Sequence, residues 1–103
     1  MAQKIKVIIK RPDEEYGHVT AISYTLKNLQ NTVGGYIETL TMPGYTLIAE
    51  FNEEGILLDL PFNCKVAGFN LFGTIIVAGT QGDEFADVGI SFDEWKKIID
   101  ESN

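Results

Sequence analysis

A chain of 103 residues, 45% hydrophobic and 22% charged, has the make-up of one ordinary globular domain spanning 1–103, not of a disordered segment. Fifteen acidic residues against eight basic ones give a formal net charge of −7, which argues against general DNA or RNA binding, where lysine and arginine neutralise phosphate to supply most of the affinity. No apolar run approaches the ~20 residues of a membrane span, Lys4, Lys6 and Lys10 interrupt any signal-peptide core, and Cys64 is the only cysteine, so a reducing, cytoplasmic setting without a membrane partner is expected.

Lys4–Lys10 alternates, with Ile5, Val7 and Ile9 on one face and Lys4, Lys6 and Lys10 on the other, which predicts a half-buried strand with one wet face. Pro12–Gly17 has turn chemistry, and His18–Ser23 is expected as a second strand hairpinned to the first. Thr25 can cap a short helix through about Thr32, with Leu26, Leu29 and Val33 three and four apart. Gly34–Gly35 ends it, because glycine takes the left-handed cap conformation without steric cost.

Strands follow at Tyr36–Thr41 and Thr46–Asn52, separated by Pro43–Gly44. Asn52–Gly55 is a polar turn into Ile56–Leu60, a short strand or an extended segment. Pro61–Phe72 is the least regular stretch. Thr74–Ala78 is continuously apolar and β-branched, as in a central strand buried on both faces, and Gly79–Gly82 closes it. Ser91 opens the last helix as a capping box with Glu94; Trp95, Ile98 and Ile99 form its apolar stripe, and Lys96 and Lys97 face solvent. The expected fold class is α+β, a mostly antiparallel sheet of five to six strands with two helices packed on it.

Charge is unevenly spread. Lys4, Lys6, Lys10 and Arg11 are half of the basic residues, whereas Asp83, Glu84, Asp87, Asp93, Glu94, Asp100 and Glu101 crowd the other end. A cationic edge can hold a compact anion even on an acidic protein, and an acidic face favours solubility.

Catalytic machinery is not expected. His18 is the only histidine, so the familiar zinc sites cannot be assembled within one chain; Cys64 with His18 would make a nucleophile and base, but nothing in the spacing supports it, and a lone cysteine is more often a packing residue. Neither Asp13-Glu14-Glu15 nor Asp83-Glu84 with Asp87 has the alternating order of a calcium loop. No metal or cofactor is expected. Gly34-Gly35-Tyr36 ends a helix and begins a strand, the reverse of a phosphate loop. It is a cap with a tight turn, or a place where a ligand approaches the backbone beside Tyr36 as a stacking face. Leu60–Lys65 is either a loop closing over a planar polar ligand or a turn whose Phe62, Phe69 and Phe72 fill the core.

Val33-Gly34-Gly35-Tyr36-Ile37-Glu38, Asn52-Glu53-Glu54-Gly55, Leu60-Pro61-Phe62-Asn63 and Gly73-Thr74-Ile75-Ile76-Val77 together resemble a domain of unknown function found in bacteriophages and conjugative elements. Members often carry arginine after the asparagine; Cys64 and Lys65 stand there in this chain. The resemblance implies a mobile-element accessory protein without enzymatic activity. Our expectation is a phage sponge for a small anionic nucleotide of the cyclic dinucleotide class, of the kind that counters cyclic-oligonucleotide (CBASS) defence. A pocket of roughly 300–1,000 Å³ would hollow so small a core, so this reading expects a homo-oligomer with its site between subunits. Phosphate contacts would come from Lys10, Arg11 or Lys65, stacking from Tyr36 or a loop aromatic, and base-edge contacts from Asn63. The alternative is an acidic protein-binding inhibitor of a host enzyme, with a host defence protein as its partner, whose acidic C-terminal face imitates nucleic acid or caps the enzyme's basic surface.

Overall fold

In the computed structural model, which describes residues 3–82 and 84–103, the alternating N-terminal segment forms β1 (Lys4–Lys10), antiparallel to β2 (His18–Ser23). Asp83 of the acidic cluster lies outside the described residues. Helix α1 (Leu26–Val33) is capped by the Thr25 hydroxyl accepting from the Asn28 amide, and ends at Gly34 with φ 81°. β3 (Ile37–Thr41) and β4 (Leu47–Asn52) form a second hairpin.

The stretch 61–72, irregular by sequence, is a separate two-stranded hairpin of β5 (Phe62–Val66) and β6 (Phe69–Phe72), with a bulge between Phe62 and Cys64. β7 (Ile75–Gln81) then runs between β1 and β4, and β8 (Glu84–Ala86) pairs with its end. The chain finishes in α2 (Phe92–Ser102), capped by Ser91 accepting from the Glu94 amide. The main sheet is six-stranded, ordered β2-β1-β7-β4-β3 with β8 beside β7, and every pairing is antiparallel. The fold is α+β, with two helices on a mostly antiparallel sheet.

Period two sends β7 side chains to both faces, and both are covered. Ile76 and Ala78 join Ile5, Val7, Ile9 and Ile48 beneath Leu29 and Val33 of α1. On the other face Ile75 and Val77 join Ile8, Leu47 and Ala49 beneath Trp95, Ile98 and Ile99 of α2 and Cys64, Val66 and Leu71 of the small hairpin. Trp95 is wholly buried and its indole N–H donates to the Tyr16 carbonyl at 2.7 Å. This satisfies the one polar atom of the largest core side chain.

Three sequence expectations change. Ile56–Leu60 is mainly a series of turns, not a strand, and Phe62 and Phe69 are exposed instead of filling the core. The wet face of β1 is wet only at its start. Lys4 and Lys6 are exposed, but Lys10 is buried, because β5 and the end of α2 roof the last turn of that face.

Candidate ligand cleft at Lys10 and Asn63

Lys10 ends β1 and Asn63 begins β5, 53 positions later, yet the Lys10 ammonium donates to Asn63 Oδ1 at 2.7 Å. The Asn63 amide nitrogen donates in turn to the carbonyls of Lys10 and Gly73, each at 2.8 Å. Both amide hydrogens are therefore spent on backbone, and Asn63 acts first as the tether that aims Lys10. To a ligand it offers only the second lone pair of Oδ1.

Lys10 is 3% exposed. Its ammonium has three donors, of which Asn63 occupies one. Among the described residues the acid–base contacts within 4.0 Å are those of Glu14 with Arg11 and with His18, the second an ion pair only when the imidazole is protonated, and none reaches Lys10. A buried charge is costly unless paired and hydrogen-bonded. This one has a neutral partner and two N–H groups to spare.

Lys10 and Asn63 both line a cleft of about 310 Å³ between the turn after β1, β5 and the end of α2. Pro12 and Ile99 give it apolar walls, and Glu14, Glu15 and Asp100 give it carboxylates. Glu14 is already engaged. It accepts from the Arg11 amide at 2.9 Å, faces His18 Nδ1 at 3.0 Å, and has its pKa held below the usual carboxylate range, chiefly by the Arg11 backbone bond. Asp100 accepts from the Tyr16 hydroxyl at 2.8 Å, which pushes that phenol up to about 12. The mouth thus carries acceptors around a cationic floor.

Cys64 also borders the cleft. Burial pushes its thiol pKa up, with Lys10 opposing in part, so the reactive thiolate is disfavoured. His18 is hydrogen-bonded to Glu14. Among the described residues no group of three or more His, Cys, Asp or Glu is arranged to hold a metal ion, and no helix is long and apolar enough to cross a membrane.

The structure brings Lys10 and Asn63 together and places Arg11 at the edge, 56% exposed and 3.6 Å from Glu14 Oε1. Lys65 is exposed further along β5, where its backbone N–H and carbonyl are clasped by the Asn103 side chain at 2.7 and 3.0 Å. Tyr36 lies elsewhere, exposed beside a shallow depression formed with Gln30, Asn31, Gly34 and Gly35. The paired glycines there have a sufficient intramolecular reason. Gly34 takes the left-handed cap, and a Cβ on Gly35 would sit 2.8 Å from the Asn52 amide nitrogen, which bonds the Val33 carbonyl.

Sequence reasoning missed Glu15 and Asp100 as cleft residues, and no local signal marks them. It also missed Glu50 of β4, 1% exposed on the α1 face, whose carboxylate accepts from the Tyr24 hydroxyl. Burial raises the Glu50 pKa, although the Tyr24 bond opposes this; burial, then the Glu50 bond, raises that of Tyr24.

The profile of the family described as "Domain of unknown function (DUF3846)" matches residues 5–99. The chain belongs to that family. No curated protein and no solved structure matches it.

Proposed function

For this DUF3846 chain we propose a binding role without turnover: it sequesters a small anionic nucleotide, of the cyclic dinucleotide class, as a phage or mobile-element countermeasure to host defence. One observation carries the reading. Lys10 is a nearly buried ammonium with no carboxylate within 4.0 Å among the described residues, at the floor of a 310 Å³ cleft. A phosphate oxygen supplies the charge that Lys10 lacks. Glu15 and Asp100 then accept from donors further along the ligand, the sugar hydroxyls and base N–H groups, as acidic side chains accept from ribose in dinucleotide folds.

The same carboxylates disfavour a second phosphate in the same cleft. The volume, at the low end for small-molecule sites, suits one nucleotide unit. A cyclic dinucleotide has two, so the reading requires two copies of the chain, each presenting its Lys10 to one phosphate. Tyr36 or Arg11 of the second copy would then supply the stacking and charge that one chain does not gather. A ligand of roughly 45 heavy atoms at about −0.3 kcal/mol per atom reaches the −12 kcal/mol of nanomolar binding.

Thermal denaturation with a panel of cyclic di- and trinucleotides tests this. Ligand at about 100 times its Kd contributes ~2.7 kcal/mol, worth a rise of roughly 10–20 °C in a domain of this size. No shift with any member at millimolar concentration would sink the proposal.

A further inference from the structure

The turn after β4 exposes three consecutive aliphatic side chains: Ile56 is 75% exposed, Leu57 83% and Leu58 53%. Folding normally removes such a run from water, and surface runs of this kind mark interaction sites. The run does not stand alone. Ile56 and Leu57 line a hollow of about 140 Å³ with Phe51 and Phe72, and Phe72 packs edge-on against exposed Phe62 at 5.7 Å between ring centroids. One turn and the outer side of the small hairpin thus form a continuous apolar face, with a hollow sized for a single side chain.

Charge decides what covers it. Glu38 and Glu53 line the hollow, Glu54 and Asp59 bracket the aliphatic run, and no lysine, arginine or histidine occurs between Lys27 and Lys65. Among the described residues none of these four carboxylates is in an ion pair. A second copy meeting this face about a two-fold axis would set acidic rim against acidic rim on chains of −7 each. An anionic lipid surface is repelled in the same way.

We propose that this face docks a basic, amphipathic segment of another protein: one apolar side chain enters the hollow, its apolar neighbours cover Leu57 and Phe62, and flanking lysines or arginines meet Glu38, Glu53, Glu54 and Asp59. The acidic end of the sequence is not involved, and the site is independent of the Lys10 cleft. Sequestration of a nucleotide and capture of a protein are then separable activities of one chain.

The probe is a synthetic helical peptide with leucines at i, i+3, i+4 and i+7 and lysines elsewhere, titrated by fluorescence anisotropy. Its control keeps the leucines and replaces lysine by glutamate. The lysine peptide is expected to bind at micromolar concentration and weaken with salt, and the glutamate peptide not to bind. Leu57→Asp with Ile56→Asp, both at exposed positions, abolishes binding while the melting temperature holds. Glu53→Gln and Glu54→Gln each weaken it by about two- to fivefold, and Lys10→Met leaves it unchanged. Equal binding of both peptides, binding retained in the double aspartate variant, a dimer that the same variant dissociates, or adsorption to phosphatidylcholine–phosphatidylglycerol vesicles would each overturn the proposal.

Discussion

Lys10 Nζ lies 2.7 Å from Asn63 Oδ1, while the Asn63 amide closes on the carbonyls of Lys10 and Gly73. One neutral side chain therefore both holds the buried cation and satisfies two backbone acceptors at the joint between sheet and hairpin. Asn63→Ala strands all three groups and is expected to cost roughly 2–4 kcal/mol. Lys10→Met removes the charge and leaves one lone pair without its donor, for about 1 kcal/mol. Urea denaturation of both variants checks the order; a lysine variant that costs more than the asparagine variant would show that the charge, not the tether, holds the joint.

The buried acid on the opposite face gives a pH signature. Glu50 has a raised pKa in the folded chain, chiefly through burial. The folded state then holds the proton more tightly than the unfolded one. The associated stability is fully present below the unfolded value of about 4.3 and is lost as pH rises through the folded value. Glu50→Gln keeps an acceptor for the Tyr24 hydroxyl and removes the charge. Its melting temperature should exceed that of the parent at pH 7, with the gap closing toward pH 4. A gap that is constant with pH would contradict the assignment.

Gly79 lies in β7 where the chain returns past it, and a Cβ there would collide with the Asp87 carbonyl oxygen. Asp87 is pinned, because its carboxylate accepts from the Lys6 amide at 2.7 Å and the next amide, Val88, bonds the Lys6 carbonyl at 2.8 Å. Backbone on both sides leaves little to give. Gly79→Ala should cost roughly 1–3 kcal/mol by overpacking, measured by chemical denaturation; a neutral outcome would mean that the β8 edge moves freely.

The turn between β5 and β6 has Ala67 at φ 50° and Gly68 at φ 83°, the two positive values of the commonest hairpin turn. A left-handed alanine is strained by about 1–2 kcal/mol. Ala67→Asn, the residue that turn prefers, should raise stability by about 0.5–1 kcal/mol, and an unchanged or lower melting temperature would speak against the strain.

That turn also shows what the sequence conceals. An Asn-Gly pair would have announced a hairpin within 61–72; Ala-Gly does not, and the bulge after Phe62 breaks the alternation that would otherwise mark β5. By contrast β1, β2, β3, β4 and β7 were legible, because period-two patterning and β-branched runs are local signals. Both helices were legible from their caps and apolar stripes. The cleft was half legible. Lys10 and Asn63 are visible as a cation and an amide, but 53 residues of separation hide their bond, and Glu15 and Asp100 enter only through the packing of α2. Glu50 looks like one more acidic residue until Tyr24 and the apolar side chains under α1 enclose it.

The most direct test of the central claim is calorimetric titration of the parent chain and of Lys10→Met with a cyclic dinucleotide, read for both affinity and stoichiometry. The expected result is nanomolar binding at one ligand per two chains, weakened roughly 10- to 100-fold when the ammonium is removed. Binding at full strength in Lys10→Met, or no heat from any cyclic dinucleotide with the parent chain, would contradict it.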